Sequence, residues 1–136
     1  MKFILDTNAV SELMKGTAAA VDRLAVTPPA DVAVPQPVLA EIAFGIERLP
    51  RSKRRTALQA RFDLVRSELA RAEWTDTVSE AYGRIKATLE RRGRRIEDFD
   101  AAIAAHAVAS GAILVTATNV AHMTRVPGLR IEDWSR

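Results

Sequence analysis

At 136 residues, with a hydrophobic share of 48% in which alanine alone counts 24, the chain is sized for one helix-rich domain over residues 1–136 that folds without disulfide or metal staples. The absence of cysteine excludes thiolate catalysis, Cys-ligated zinc and iron–sulfur chemistry, and two histidines, His106 and His122, are too few for a multi-histidine metal site. The formal net charge is +3; Asp6 interrupts the early apolar run and no later stretch reaches the about 18 apolar residues of a membrane span, so a cytoplasmic chain with no membrane contact is expected.

Taken in order, Lys2 to Leu5 is a short strand ended by Asp6, and Asn8 to Lys15 is a helix that Asn8 is placed to cap and Gly16 to close. A second helix covers Ala18 to Val26 before Thr27-Pro28-Pro29 breaks the chain. Val32 to Val34 is a brief strand, and Pro37 suits the first position of a helix running to about Leu49. A long charged helix follows from Ser52 to Glu73, then another from Thr77 to Gly93 with Val78, Tyr82, Ile85 and Leu89 on one face. Asp98 to Ser110 is helical, Ala112 to Val115 is a strand of the fully buried type, and the tail holds a short helix from Val120 to Thr124 and a strand over Leu129 to Ile131. Strands separated by helices predict an α/β fold of three layers, with a short central parallel sheet flanked by helices.

Sixteen of the twenty basic residues are arginine, which suits bidentate contact with phosphate. Arg51, Lys53, Arg54 and Arg55 form one cluster, and Arg84, Lys86, Arg91, Arg92, Arg94 and Arg95 another. Either alone reads as solvated helix surface; the two together point to a polyanionic partner.

In open parallel sheets, ligands bind beyond the carboxyl ends of the strands, which draws attention to Asp6-Thr7-Asn8 and to Thr116-Ala117-Thr118-Asn119. Glu41 shares a helical face with Val38, Phe44 and Gly45, where a carboxylate needs an arginine partner, a rim position or a cation. Asp100 heads the stripe Ile103, Ala104, Ala107 and Val108, whereas Asp98 has the simpler role of an N-cap. Asp6, Glu41 and Asp100 converging at one sheet edge would repel one another, and a hard divalent ion, Mg²⁺ or Mn²⁺, relieves that repulsion with oxygen ligands.

The segments Phe3-Ile4-Leu5-Asp6-Thr7-Asn8, Leu39-Ala40-Glu41-Ile42 and Asp100-Ala101-Ala102-Ile103-Ala104-Ala105-His106-Ala107 resemble those of PIN-domain ribonucleases. The ending, from Leu114-Val115-Thr116 through Arg125-Val126-Pro127-Gly128-Leu129 to Trp134, is similar to that of the VapC toxins of bacterial toxin–antitoxin pairs. The resemblance implies a metal-dependent endoribonuclease with Asp6, Glu41 and Asp100 as metal ligands and catalytic residues, and Asn119 in the position of a further acidic or amide group. It also implies an RNA substrate, a VapB-type antitoxin, a homodimer and a toxin–antitoxin hetero-oligomer. Thr7 or Thr116 either holds an attacking water or a carboxylate, or is a strand-end hydroxyl bonding backbone. Two other readings stand beside this one: a non-catalytic nucleic-acid-binding subunit, which the basic clusters favour, and an aspartyl phosphatase, against which Asn8 counts because it stands where a second carboxylate belongs.

Overall fold

In the computed structural model, which describes residues 1–117 and 121–136, the apolar run Phe3–Leu5 forms strand β1 and is buried along its whole length. Helix α1 (Thr7–Lys15) follows at once. The Asp6 carboxylate accepts from the Ala9 N–H at 2.8 Å, so the cap is Asp6 and not Asn8; Gly16 closes the helix at φ 74°, a left-handed conformation that favours glycine. Helix α2 (Ala18–Ala25) and a 3₁₀ turn (Pro29–Asp31) lead into β2 (Val32–Pro35), also fully buried. Pro37 lies in the first turn of α3 (Gln36–Glu47), where its missing N–H costs no helical bond.

The single helix expected over Ser52 to Glu73 is two elements. Helix α4 (Lys53–Glu68) is capped by Ser52, and the chain then turns extended at Leu69 to form β3 (Ala70–Ala72). Alanine and arginine favour helix locally, but β2 has an open edge there, and pairing from Ala33 with Ala70 to Pro35 with Ala72 satisfies backbone groups that a longer helix would leave unpaired. Leu69 and Ala72 are buried while the intervening Ala70 and Arg71 stay exposed, a charged residue on an edge strand.

Helix α5 (Asp76–Arg91) starts from a Thr75 cap and buries Val78, Ala81, Ile85 and Leu89, with Tyr82 half-buried beside them. Helix α6 (Asp98–Ser110) has the expected bounds, but its cap residue is Glu97; Asp98 lies in the first turn and pairs with Lys86 at 3.0 Å. Strand β4 (Ile113–Thr116), a 3₁₀ turn (Met123–Arg125) and β5 (Arg130–Asp133) complete the chain. The described part of the short helix expected at Val120 to Thr124 is thus a single 3₁₀ turn, and Val120 lies outside the described residues.

The five strands form one parallel sheet in the order β3-β2-β1-β4-β5. The chain steps outward from β1 to β3, then crosses back to lay β4 on the other side of β1. Right-handed crossovers put the helices before and after that reversal on opposite faces, which makes the third layer. Helix α6 packs against β1 and β4, and α3 packs against both β2 and α6. The buried alanines of α6 allow its close approach, and Ile4, Leu5, Val34, Leu114 and Val115 fill the sheet side of the core. Among the described residues no helix is long and apolar enough to cross a membrane.

Trp134, 1% exposed, closes the far end of the core. Its ring meets Phe3 edge-on at 5.5 Å and its Nε1 donates to Glu132 Oε1 at 3.1 Å. Replacing it with alanine is expected to lower stability by about 3–5 kcal/mol in urea unfolding; a loss below about 1 kcal/mol would mean that the carboxyl-terminal segment is not part of the core.

Candidate active site

The reversal of strand order falls between β1 and β4, and at such a switch point the loops beyond the strands part to leave a crevice. Asp6 directly follows β1, and Thr116 ends β4 beside it. Because α3 and α6 touch, Glu41 from the second turn of α3 and Asp100 from the first turn of α6 arrive at the same crevice. Asp6, Thr7, Glu41, Asp100 and His122 line one cavity of about 200 Å³.

Asp6 is 7% exposed. Burial pushes its carboxyl from the ordinary 3.8 up to about 6, and the neighbouring Asp100 charge pushes the same way. The Thr116 hydroxyl and the N–H groups of Ala9 and Asn8 pull the value back down. Among the described residues the buried Thr116 Oγ1 makes no hydrogen bond of standard geometry, yet it stands close enough to favour the charged form of Asp6.

Glu41 is half-buried and accepts a hydrogen bond from Thr7 Oγ1 at 2.6 Å. No arginine pairs with it among the described residues. The apolar face expected around it is incomplete: Val38 is fully buried, but Phe44 is 65% exposed. Thr7, not a hydrophobic wall, fixes this carboxylate. That resolves the two readings of Thr7 in favour of the one in which it holds a side chain.

Asp100 is half-buried, and burial together with the Glu97 charge raises its pKa while His122 opposes the shift. His122 Nε2 lies 3.3 Å from Asp100 Oδ2. This histidine was visible in the sequence only as an argument against zinc, since no periodicity links position 122 to position 100 and the contact is purely tertiary. Asn119, the fourth expected site residue, lies outside the described residues.

The oxygen donors of this cavity suit a hard divalent cation in kind: three carboxylates, one of them buried with no cationic partner among the described residues. Among the described residues no three such groups are drawn together at coordination distance.

Residues 3–126 match the PIN domain. The chain belongs to the PIN-domain family. Within it the resemblance is to VapC proteins: it is 34% identical to the tRNA(fMet)-specific endonuclease VapC of Shigella flexneri over 99% of each chain. It is also 32% identical to ribonuclease VapC2 of Rickettsia felis over 77% of this chain and 75% of that one. Among solved structures, VapBC2 from Rickettsia felis bound to a promoter DNA fragment superposes with a TM-score of 0.86 at 29% identity, covering 98% of this chain and 99% of that one. VapBC-1 from nontypeable Haemophilus influenzae gives 0.83 at 26% identity with both chains fully covered. The parallel sheet and its flanking helices are therefore those of a VapC-type PIN domain.

The electrostatic strain at Asp6 has a measurable sign in the metal-free protein. Its folded pKa of about 6 lies above the unfolded 3.8, so its contribution to stability is fully present below pH 3.8 and is lost as the pH rises through 6. Asparagine keeps the helix cap and carries no charge. Asp6→Asn is thus expected to stabilise the metal-free protein at pH 8 by up to about 3 kcal/mol and to leave it unchanged near pH 4. Equal stabilities at both pH values, measured by denaturant unfolding in EDTA, would contradict the assignment.

Proposed function

We propose that this PIN-domain protein is a divalent-metal-dependent endoribonuclease, the toxin of a type II toxin–antitoxin pair. The observation that carries this reading is the convergence of Asp6, Glu41 and Asp100 on one cavity at the switch point of a parallel sheet. The nuclease names of its relatives support the activity, and the VapBC complexes among its structural neighbours support an antitoxin of the VapB type. A homodimer within that assembly is part of the same proposal. So is a place for the antitoxin: an apolar groove of about 380 Å³ between Val21, Leu24, Pro29 and Leu69 suits the hydrophobic anchors of a partner segment.

The chain's own residues divide the work. Asp6, held by the α1 cap, and Glu41, held by Thr7, present carboxylate oxygens from two directions, and Asp100 presents a third with His122 steadying it. An Mg²⁺ or Mn²⁺ ion bound by these groups supplies Lewis-acid polarisation of the phosphodiester and lowers the pKa of water at the site. The Thr116 hydroxyl, fully buried beside Asp6, favours the charged form of that carboxylate. Exposed arginines of α4 and α5, among them Arg54, Arg61, Arg84 and Arg91, attract the RNA backbone without reading its sequence.

Asp100→Asn is expected to lower the rate of RNA cleavage in Mg²⁺ by at least about a thousandfold and to weaken Mn²⁺ binding measured by calorimetry, with the fold retained. Cleavage at the wild-type rate by a folded Asp100→Asn protein would overturn the proposed site.

A further inference from the structure

On the other side of the Asp100–His122 pair lies a second groove, open and larger, of about 580 Å³, lined also by Arg95, Glu97, Asp98 and Arg125. The two spaces share Asp100 and His122, so this groove adjoins the acidic cavity. Its carboxylates are partly engaged elsewhere: Asp98 is bound to Lys86 at 3.0 Å and Asp100 faces His122, while Glu97 is exposed to water.

Arg125 stands out on this surface. Its Nη1 donates to the Arg95 carbonyl oxygen at 3.0 Å, while among the described residues its buried Nε has no hydrogen-bond partner and its Nη2 no acceptor. A guanidinium pinned by one arm has little freedom left to lose on binding an anion, and its planar fork matches a phosphate. Arg95, whose side chain is 75% exposed and only loosely paired with Glu90 at 4.0 Å, stands on the same groove as a second cation.

We propose that this groove binds the phosphate of the RNA strand next to the bond being cut, with Arg125 as the anchor and Arg95 as the solvent-facing second contact. The proposal rests on the ribonuclease reading above. Arg125 is here a positioning residue: it holds the strand in register with the acidic cavity and takes no part in the bond cleavage.

The test is the salt dependence of binding of a fluorescent single-stranded oligoribonucleotide to the full chain in EDTA, starting at low ionic strength. Arg125→Ala is expected to bind about tenfold more weakly and to lower the slope of log affinity against log salt by about 0.7, the value for one phosphate contact on a single strand. Arg125→Lys keeps the slope and loses part of the affinity, because the charge remains and the fork does not. Lys15→Ala, a substitution of an exposed residue outside either cavity, serves as the control for loss of bulk charge. If Arg125→Ala does not fold by circular dichroism, Arg125→Lys and Arg95→Ala carry the test, the latter with the same loss of slope. Wild-type affinity and slope in folded Arg125→Ala, a change no larger than that of Lys15→Ala, or equal Arg125 dependence for a poly-glutamate peptide would overturn the proposal. Cleavage in Mg²⁺ is read separately. RNA bound through Arg125 but never cut overturns the ribonuclease reading and supports the groove, whereas RNA cut with Arg125-independent binding does the opposite.

Discussion

Asp6 sits at the end of the central strand of the sheet with almost no exposure to water, and its charge there is opposed by burial and by the approach of Asp100. Backbone N–H groups at the start of α1 and the Thr116 hydroxyl return part of that cost. The balance stays unfavourable, which is why the carboxyl titrates near 6 and not near 3.8. Much of the surrounding structure reads as a response to this one group. The α1 cap restrains it, β4 supplies a hydroxyl beside it, and Glu41 and Asp100 are held by partners of their own, Thr7 and His122, at a distance from it.

The topology makes such an arrangement possible. A parallel sheet delivers every strand's carboxyl end to one edge, and the reversal of strand order beside β1 leaves that edge open where Asp6 emerges. Two helices from opposite sides of the reversal, α3 and α6, then meet across it. Their contact brings carboxylates separated by 59 positions in sequence, Glu41 and Asp100, to one cavity. On the far side of Asp100 the surface becomes mixed, with the guanidiniums of Arg95 and Arg125 standing among the carboxylates of Glu97 and Asp98. An acidic centre with guanidiniums beside it pairs a place for a cation with a place for a phosphate, the two charges that a metal-assisted reaction on a polyanion brings together.

The parts of this architecture set by local chemistry were legible in the sequence. Helix α6 has the expected bounds, because an acidic first turn and a closing glycine mark its ends. Asp6, Glu41 and Asp100 stood out as carboxylates next to apolar runs, and the structure brings all three to one cavity. The parts set by distant partners were not legible. β3 is three residues of Ala-Arg-Ala whose extended form exists only because β2 offers an edge. Asp98 looked like a cap, but Lys86 on α5 takes it as an ion-pair partner, and Phe44 looked like core but faces outward. His122 and the Arg125 groove depend on tertiary contacts with Asp100 and Arg95 that no periodicity announces.

The central claim is that the three carboxylates share one divalent cation. Diffraction from crystals soaked in Mn²⁺, recorded near the manganese absorption edge, tests it most directly. An anomalous peak is expected between the carboxylates of Asp6, Glu41 and Asp100, with His122 displaced from Asp100 or left as a neighbour. A saturating soak that gives no peak there, or a peak held by other side chains, would contradict it.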